Sequence, residues 1–72
     1  MILKVSYIRS LLTNKELREK VGIALSIQEK TVYINAQHNK TNGPLTKIQA
    51  LSAISDYFDT PVGNLTYDIA NV

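Results

Sequence analysis

The stretch LREKVGIALSIQEKTVYINAQ, residues 17–37, decides the fold, because two apolar stripes meet in it with almost no spacer. Leu17, Val21, Ala24 and Leu25 share one face of a helix predicted over about 14–24. Val32 and Ala36 face inward from a second helix, predicted over about 27–38. Leu25 closes the first stripe, and Ser26 with Glu29 has the capping-box spacing that opens the next helix. The two helices are therefore joined by a very tight turn. Such a turn prevents side-by-side antiparallel packing and favours a steep crossing. Gly22, one turn before the corner, marks the place where the two axes approach. The alternative is a merely tolerated glycine, at about 1 kcal/mol relative to alanine.

Outward from this corner, the same start signals recur. Thr13-Asn14-Lys15-Glu16 is a capping box, with Leu12 and Leu17 at the spacing of a hydrophobic staple. Thr46-Lys47-Ile48-Gln49 repeats the pattern before a helix over about 47–58, which lines up Ile48, Leu51, Ile54 and Phe58. Asp59-Thr60-Pro61 opens a short fifth helix from Pro61 to about Leu65, with proline at the first helical position. Upstream, Val5, Ile8 and Leu12 predict a first helix over about 2–12. Asn42-Gly43-Pro44 closes a loop over about 39–45. From Leu65 to Ile69 apolar and polar residues alternate; a short strand, a helix continuation and a disordered end all fit. The expectation is one all-α domain over 1–72: a compact bundle of five short helices, a helix-turn-helix formed by the second and third, and a short tail from about 66.

Seventy-two residues allow one small core. Surface scaling gives about 4,400 Å² for the folded chain, with roughly 60% of the unfolded surface buried. Cysteine is absent and His38 is the single histidine, so neither a disulfide framework nor a cysteine–histidine metal site is available. No acid/base pair or nucleophile with its base assembles from the pattern, and no cofactor is implied; the chain does not read as an enzyme. No apolar run approaches the roughly 18 residues of a membrane span, and MILKVSYIRS does not resemble a secretory signal, so a cytoplasmic location is expected. The net charge is +2, but it is unevenly spread. All eight basic residues lie in residues 1–47 with three acids, a net of +5, whereas residues 48–72 carry three acids and no Lys or Arg. A basic front and an acidic back fit a phosphate-facing surface, although charge runs are more often simply solvated.

Residues 17–37, together with LSAISDYFDTPVGNL at 51–65, resemble the Cro/repressor-like (XRE-type) family of bacterial and phage DNA-binding regulators. The resemblance rests on Val21, small Gly22, Leu25, the turn at Ser26, then Ile27 and inward Val32. The two stretches make up half of the chain, within a span of about two-thirds of it. Ser26 stands where that family usually has glycine, and Asn35 where it usually has an apolar residue. The resemblance implies that the third helix enters the major groove of DNA.

The helical wheel identifies the outward face independently. With Val32 pointing inward, Lys30, Ile34 and Gln37 fall on the far side of the helix, and Tyr33 and Thr31 fall on its two flanks. Lys30, Tyr33, Ile34 and Gln37 thus form one stripe, and Gln28 and Glu29 project from its N-terminal end. Gln28 or Gln37 suits a bidentate bond to an adenine edge, Lys30 suits guanine O6/N7 or phosphate, and Ile34 suits a thymine methyl. Tyr33 and Thr31 suit phosphate oxygens. Lys40, just past the helix, completes the DNA-contacting set. Duller roles compete: Ile34 as a partly buried edge residue, Tyr33 as a lid on the core, His38 as a surface residue, Glu29 as a cap. The four tyrosines are scattered and form no stacking platform for single strands.

These features point to a sequence-specific binder of double-stranded DNA, a small transcriptional regulator. One recognition helix reads few base pairs, so specificity requires a homodimer on two half-sites one helical turn apart. Val62, Leu65, Tyr67 and Ile69 are the apolar residues expected to contribute to the dimer contact. The alternative is a small helical protein-interaction module, an antirepressor or adaptor, that keeps the shape without binding DNA.

Overall fold

The computed structural model describes residues 1–67. The chain is mostly helical: α1 (Val5–Thr13), α2 (Lys15–Leu25), α3 (Glu29–His38) and α4 (Ile48–Phe58), with 3-10 turns at Pro44–Thr46 and Val62–Asn64. The accessible surface of 4529 Å² is close to the size-based expectation.

Twelve apolar side chains fill the core, and they come from every part of the described chain. Ile8 and Leu11 of α1, Leu17 and Val21 of α2, Val32 and Ala36 of α3, and Ala50, Leu51 and Ile54 of α4 are all buried. Leu3, Leu45 and Leu65, from the connecting segments, complete it. Tyr7 and Tyr57 each pack edge-on against Phe58, with ring centroids 5.5 and 5.1 Å apart. Two expected inward positions turn outward: Val5 is 50% exposed and Ile48 is 62% exposed. Both are the first residues of their helices, and the buried apolar side chains there come instead from Leu3 and Leu45, three residues or fewer upstream.

The first helix starts later than the periodicity predicts because Ile2–Leu3 forms a strand, β1, antiparallel to β2 (Thr66–Tyr67), in the register Ile2↔Tyr67 and Leu3↔Thr66. The Lys4 N–H also donates to the Leu65 carbonyl at 2.9 Å. Of the three conformations open to the tail, the strand is the one formed at Thr66–Tyr67, and the residues beyond lie outside those described. The expected fifth helix is reduced to the 3-10 turn Val62–Asn64, and Leu65 beyond it is fully buried. Leu65 is therefore committed to the core rather than to a dimer contact. Val62 also packs against the core, and Ile69 lies outside the described residues.

None of the capping boxes is used as predicted. The Thr13 hydroxyl donates back to the Arg9 carbonyl at 2.9 Å, and α2 is instead capped by Asn14, whose Oδ1 accepts from the Leu17 N–H at 3.2 Å. Asn14 also donates to the Tyr57 hydroxyl at 2.8 Å, which ties the start of α2 to α4. The Thr46 hydroxyl donates to the Gly43 carbonyl at 2.7 Å, leaving α4 to start at Lys47 without a side-chain cap. Serine and threonine hydroxyls reach several nearby backbone acceptors with similar ease, so the sequence spacing alone does not choose among them.

Candidate nucleic-acid interface

The corner between α2 and α3 positions the surface in question. Ser26 follows α2 in the left-handed conformation, with φ 59° and ψ 40°. Its N–H donates to the Ile23 carbonyl at 3.2 Å, and the next N–H, of Ile27, donates to the Gly22 carbonyl at 2.9 Å. This is a Schellman motif, which normally places glycine at the left-handed position and an apolar residue after it. Half-buried Ile27, packed against the core, supplies that apolar contact. Ser26 therefore ends α2 rather than capping α3, which corrects the capping-box reading. Gln28, in extended conformation, is the residue that precedes α3, and its side chain makes no cap hydrogen bond.

Gly22 has the role expected of it. It is buried, and a Cβ built there would lie 2.7 Å from the carbonyl oxygen of Ile27. The main chain of the turn thus lies directly on α2. A side chain at this position would push the corner open.

Beyond the corner, Val32 and Ala36 anchor α3 to the core, and its opposite side is free. Gln28, Lys30, Thr31, Tyr33, Ile34, Gln37 and Lys40 are all exposed, along α3 and the loop that follows. Ile34 is 44% exposed, more than an edge residue of the core would be, and His38 is a surface residue. Lys30 and Lys40 enter no ion pair among the described residues. The loop after α3 turns through left-handed Asn39 and Asn42. It is held by the Gly43 N–H donating to the Lys40 carbonyl at 3.1 Å and the Asn42 N–H donating to the Met1 carbonyl at 2.7 Å.

Two residues outside the expected set shape this surface. Arg18 Nε donates to Glu29 Oε2 at 2.6 Å, and Arg18 Nη1 donates to the Leu11 carbonyl at 2.8 Å. The same guanidinium sits 5.2 Å from the centroid of the Tyr33 ring, within cation–π range. Glu29 is thus an ion-pair partner, not a cap, and Tyr33, 36% exposed, rests on Arg18 rather than serving as a lid on the core. No local spacing advertises this cluster. Arg18 and Glu29 belong to different helices and meet only after the corner has folded.

No protein-family model, curated protein or solved structure matches the chain. Among the described residues, no helix is long and apolar enough to cross a membrane, and no three or more His, Cys, Asp or Glu side chains are gathered as a metal site would need.

Proposed function

We propose that the protein is a sequence-specific double-stranded DNA-binding transcriptional regulator of the Cro/repressor type, with α2 and α3 as its helix-turn-helix and α3 in the major groove. The observation that carries this reading is the exposed side of α3. Lys30, Thr31, Tyr33, Ile34 and Gln37 on the helix, with Gln28 just before it and Lys40 just after, offer groups suited to phosphates, base edges and thymine methyls. Val32, Ala36 and the Gly22 corner hold the helix to the core. Lys30 and Lys40, unpaired among the described residues, supply charge for phosphate contacts. Gln28, Gln37 and Ile34 carry the base preference, and Thr31 and Tyr33 bond the backbone on either side. The regulator acts in the cytoplasm as a homodimer, because one short helix reads too few base pairs for useful specificity. No cofactor or catalytic step enters this function.

The test is selection from a random-site duplex pool at two salt concentrations, followed by titration of the enriched site. Enrichment of one site, with affinity falling as salt rises, is the expected result. Recovery of a random pool with no salt dependence refutes it.

One observation favours a second reading, a protein-interaction module. Ile23 on α2 is 81% exposed, and Ile34 on α3 is exposed as well. Isolated surface isoleucines are ordinary, but two on neighbouring helices suit an apolar partner. Ile23→Ser separates the two readings: it leaves DNA selection intact if α3 is the binding element.

A further inference from the structure

The Arg18 guanidinium, carried by α2, touches three groups on the two neighbouring helices at once. It donates to the Leu11 carbonyl, in the last turn of α1, where carbonyls lack helical partners and positive charge is favoured. It pairs with Glu29 in the first turn of α3, and it lies beneath the Tyr33 ring one turn further along the same helix. Its side chain is only 13% exposed, so its charge is spent inside the molecule. The first turn of α3 has no side-chain cap. Among the described residues, the Arg18–Glu29 contact is the one side-chain hydrogen bond tying that turn to another element. A planar fork is required, because a single ammonium cannot bond Glu29 and Leu11 while presenting a flat face to a ring.

We propose that Arg18 is a positioning residue of the α3 face. It fixes the first turn of α3 against α1 and α2 and holds the Tyr33 ring where the duplex meets it. The bond of Tyr33 to the DNA backbone and the position of that first turn set the register in which Gln28, Ile34 and Gln37 meet the bases. Base preference therefore depends on a side chain of α2 that does not itself reach DNA. This inference rests on the DNA-binding reading above. It separates Arg18 from Lys30 and Lys40: all three are cations, but only the two lysines are free to release counterions from the duplex.

The test uses the full chain and four variants, Arg18→Met, Arg18→Lys, Tyr33→Leu and the double Arg18→Met/Tyr33→Leu. Each is titrated on the enriched duplex and on a scrambled one, across a salt series, at a temperature where circular dichroism shows it folded. Arg18→Met is expected to lower the ratio of specific to scrambled affinity by at least about fivefold, the smaller end of what one good base contact contributes. The salt slope stays unchanged, and Arg18→Lys fails to restore the ratio. Tyr33→Leu lowers the same ratio, and Arg18→Met adds little on top of it. If Arg18→Met does not fold, Arg18→Lys with Tyr33→Leu forms the same cycle.

Four results overturn the proposal: equal proportional losses on both duplexes, full recovery in Arg18→Lys, strictly additive losses with Tyr33→Leu, or a salt slope lower by about 0.9, which would make Arg18 a phosphate contact. A parent chain that enriches no duplex removes the DNA-binding reading and this inference with it. A parent that enriches a site, with an unchanged ratio in Arg18→Met, removes this inference alone.

Discussion

Replacing Gly22 tests the geometry of the corner directly. A Cβ at this position would sit 2.7 Å from the Ile27 carbonyl oxygen, whereas ordinary contact begins at 3.4 Å. The opposing atom is main chain, so it cannot rotate away as a side chain would. Nor can the turn retreat freely, because the Ile27 N–H is bonded to the Gly22 carbonyl at 2.9 Å. Overpacking of this kind costs about 1–3 kcal/mol. Alanine recovers about 1 kcal/mol through its better helix propensity, so Gly22→Ala is expected to lose a net of about 1 kcal/mol. Valine adds two methyl groups to the same cleft and brings the loss to about 3 kcal/mol. In a domain of this size each kcal/mol moves Tm by about 4–8 °C, so the order glycine, alanine, valine is readily resolved. Thermal and urea unfolding followed by far-ultraviolet circular dichroism measure it. An alanine variant melting above the parent would show that α2 has room at the corner, and the close-approach argument would fall.

Ser26→Gly is expected to stabilise the protein by about 0.5–1 kcal/mol, since relief of the left-handed strain outweighs the added backbone entropy. Ser26→Ala should stay within about 0.5 kcal/mol of the parent in urea unfolding; a loss near 1 kcal/mol would restore the role of Ser26 as the cap of α3. Leu3→Ala removes a fully buried side chain from the β1 segment and is expected to cost about 2–5 kcal/mol; a near-neutral result would mean that β1 is not part of the core. On the α3 face, Lys30→Ala should weaken binding to all duplexes alike and lower the salt slope by about 0.9, whereas Gln37→Ala should leave the slope unchanged and cost about 1–3 kcal/mol on the preferred site only. Salt-independent titrations in which both variants match the parent would remove this face from the interface.

The parts of the fold that are legible in the sequence are those that repeat locally. The inward positions Leu17, Val21, Val32 and Ala36 follow from a 3.6-residue period that any helix must obey, and all four are buried. The exposure of Gln28, Lys30, Thr31, Tyr33, Ile34 and Gln37 follows from the same wheel, once Val32 is inward. Gly22 is legible because a glycine inside a helix beside a tight corner has few other uses. The caps mislead for a physical reason. Thr13, Ser26 and Thr46 each have the right spacing, but hydroxyls at such positions compete with other nearby groups, and the backbone conformation decides between them.

Amino-acid order alone thus places α2, α3 and α4 to within two residues and sets the inward positions of α2 and α3 and the tightness of the corner between them, because periodicity and turn length act over a few neighbouring residues. Contacts between distant parts of the chain arise only once those helices have packed. Pairing of Ile2–Leu3 with Thr66–Tyr67 joins the two ends of the described chain, and no local pattern specifies that partner. It is set by Leu3 and Leu65, which must enter the same core. The Arg18–Glu29–Tyr33 cluster has the same origin. Arg18 reads as one more solvated cation on α2 until Ser26 turns left-handed and brings the first turn of α3 across it. The guanidinium is then out of water and requires acceptors, which the Leu11 carbonyl and the Glu29 carboxylate provide.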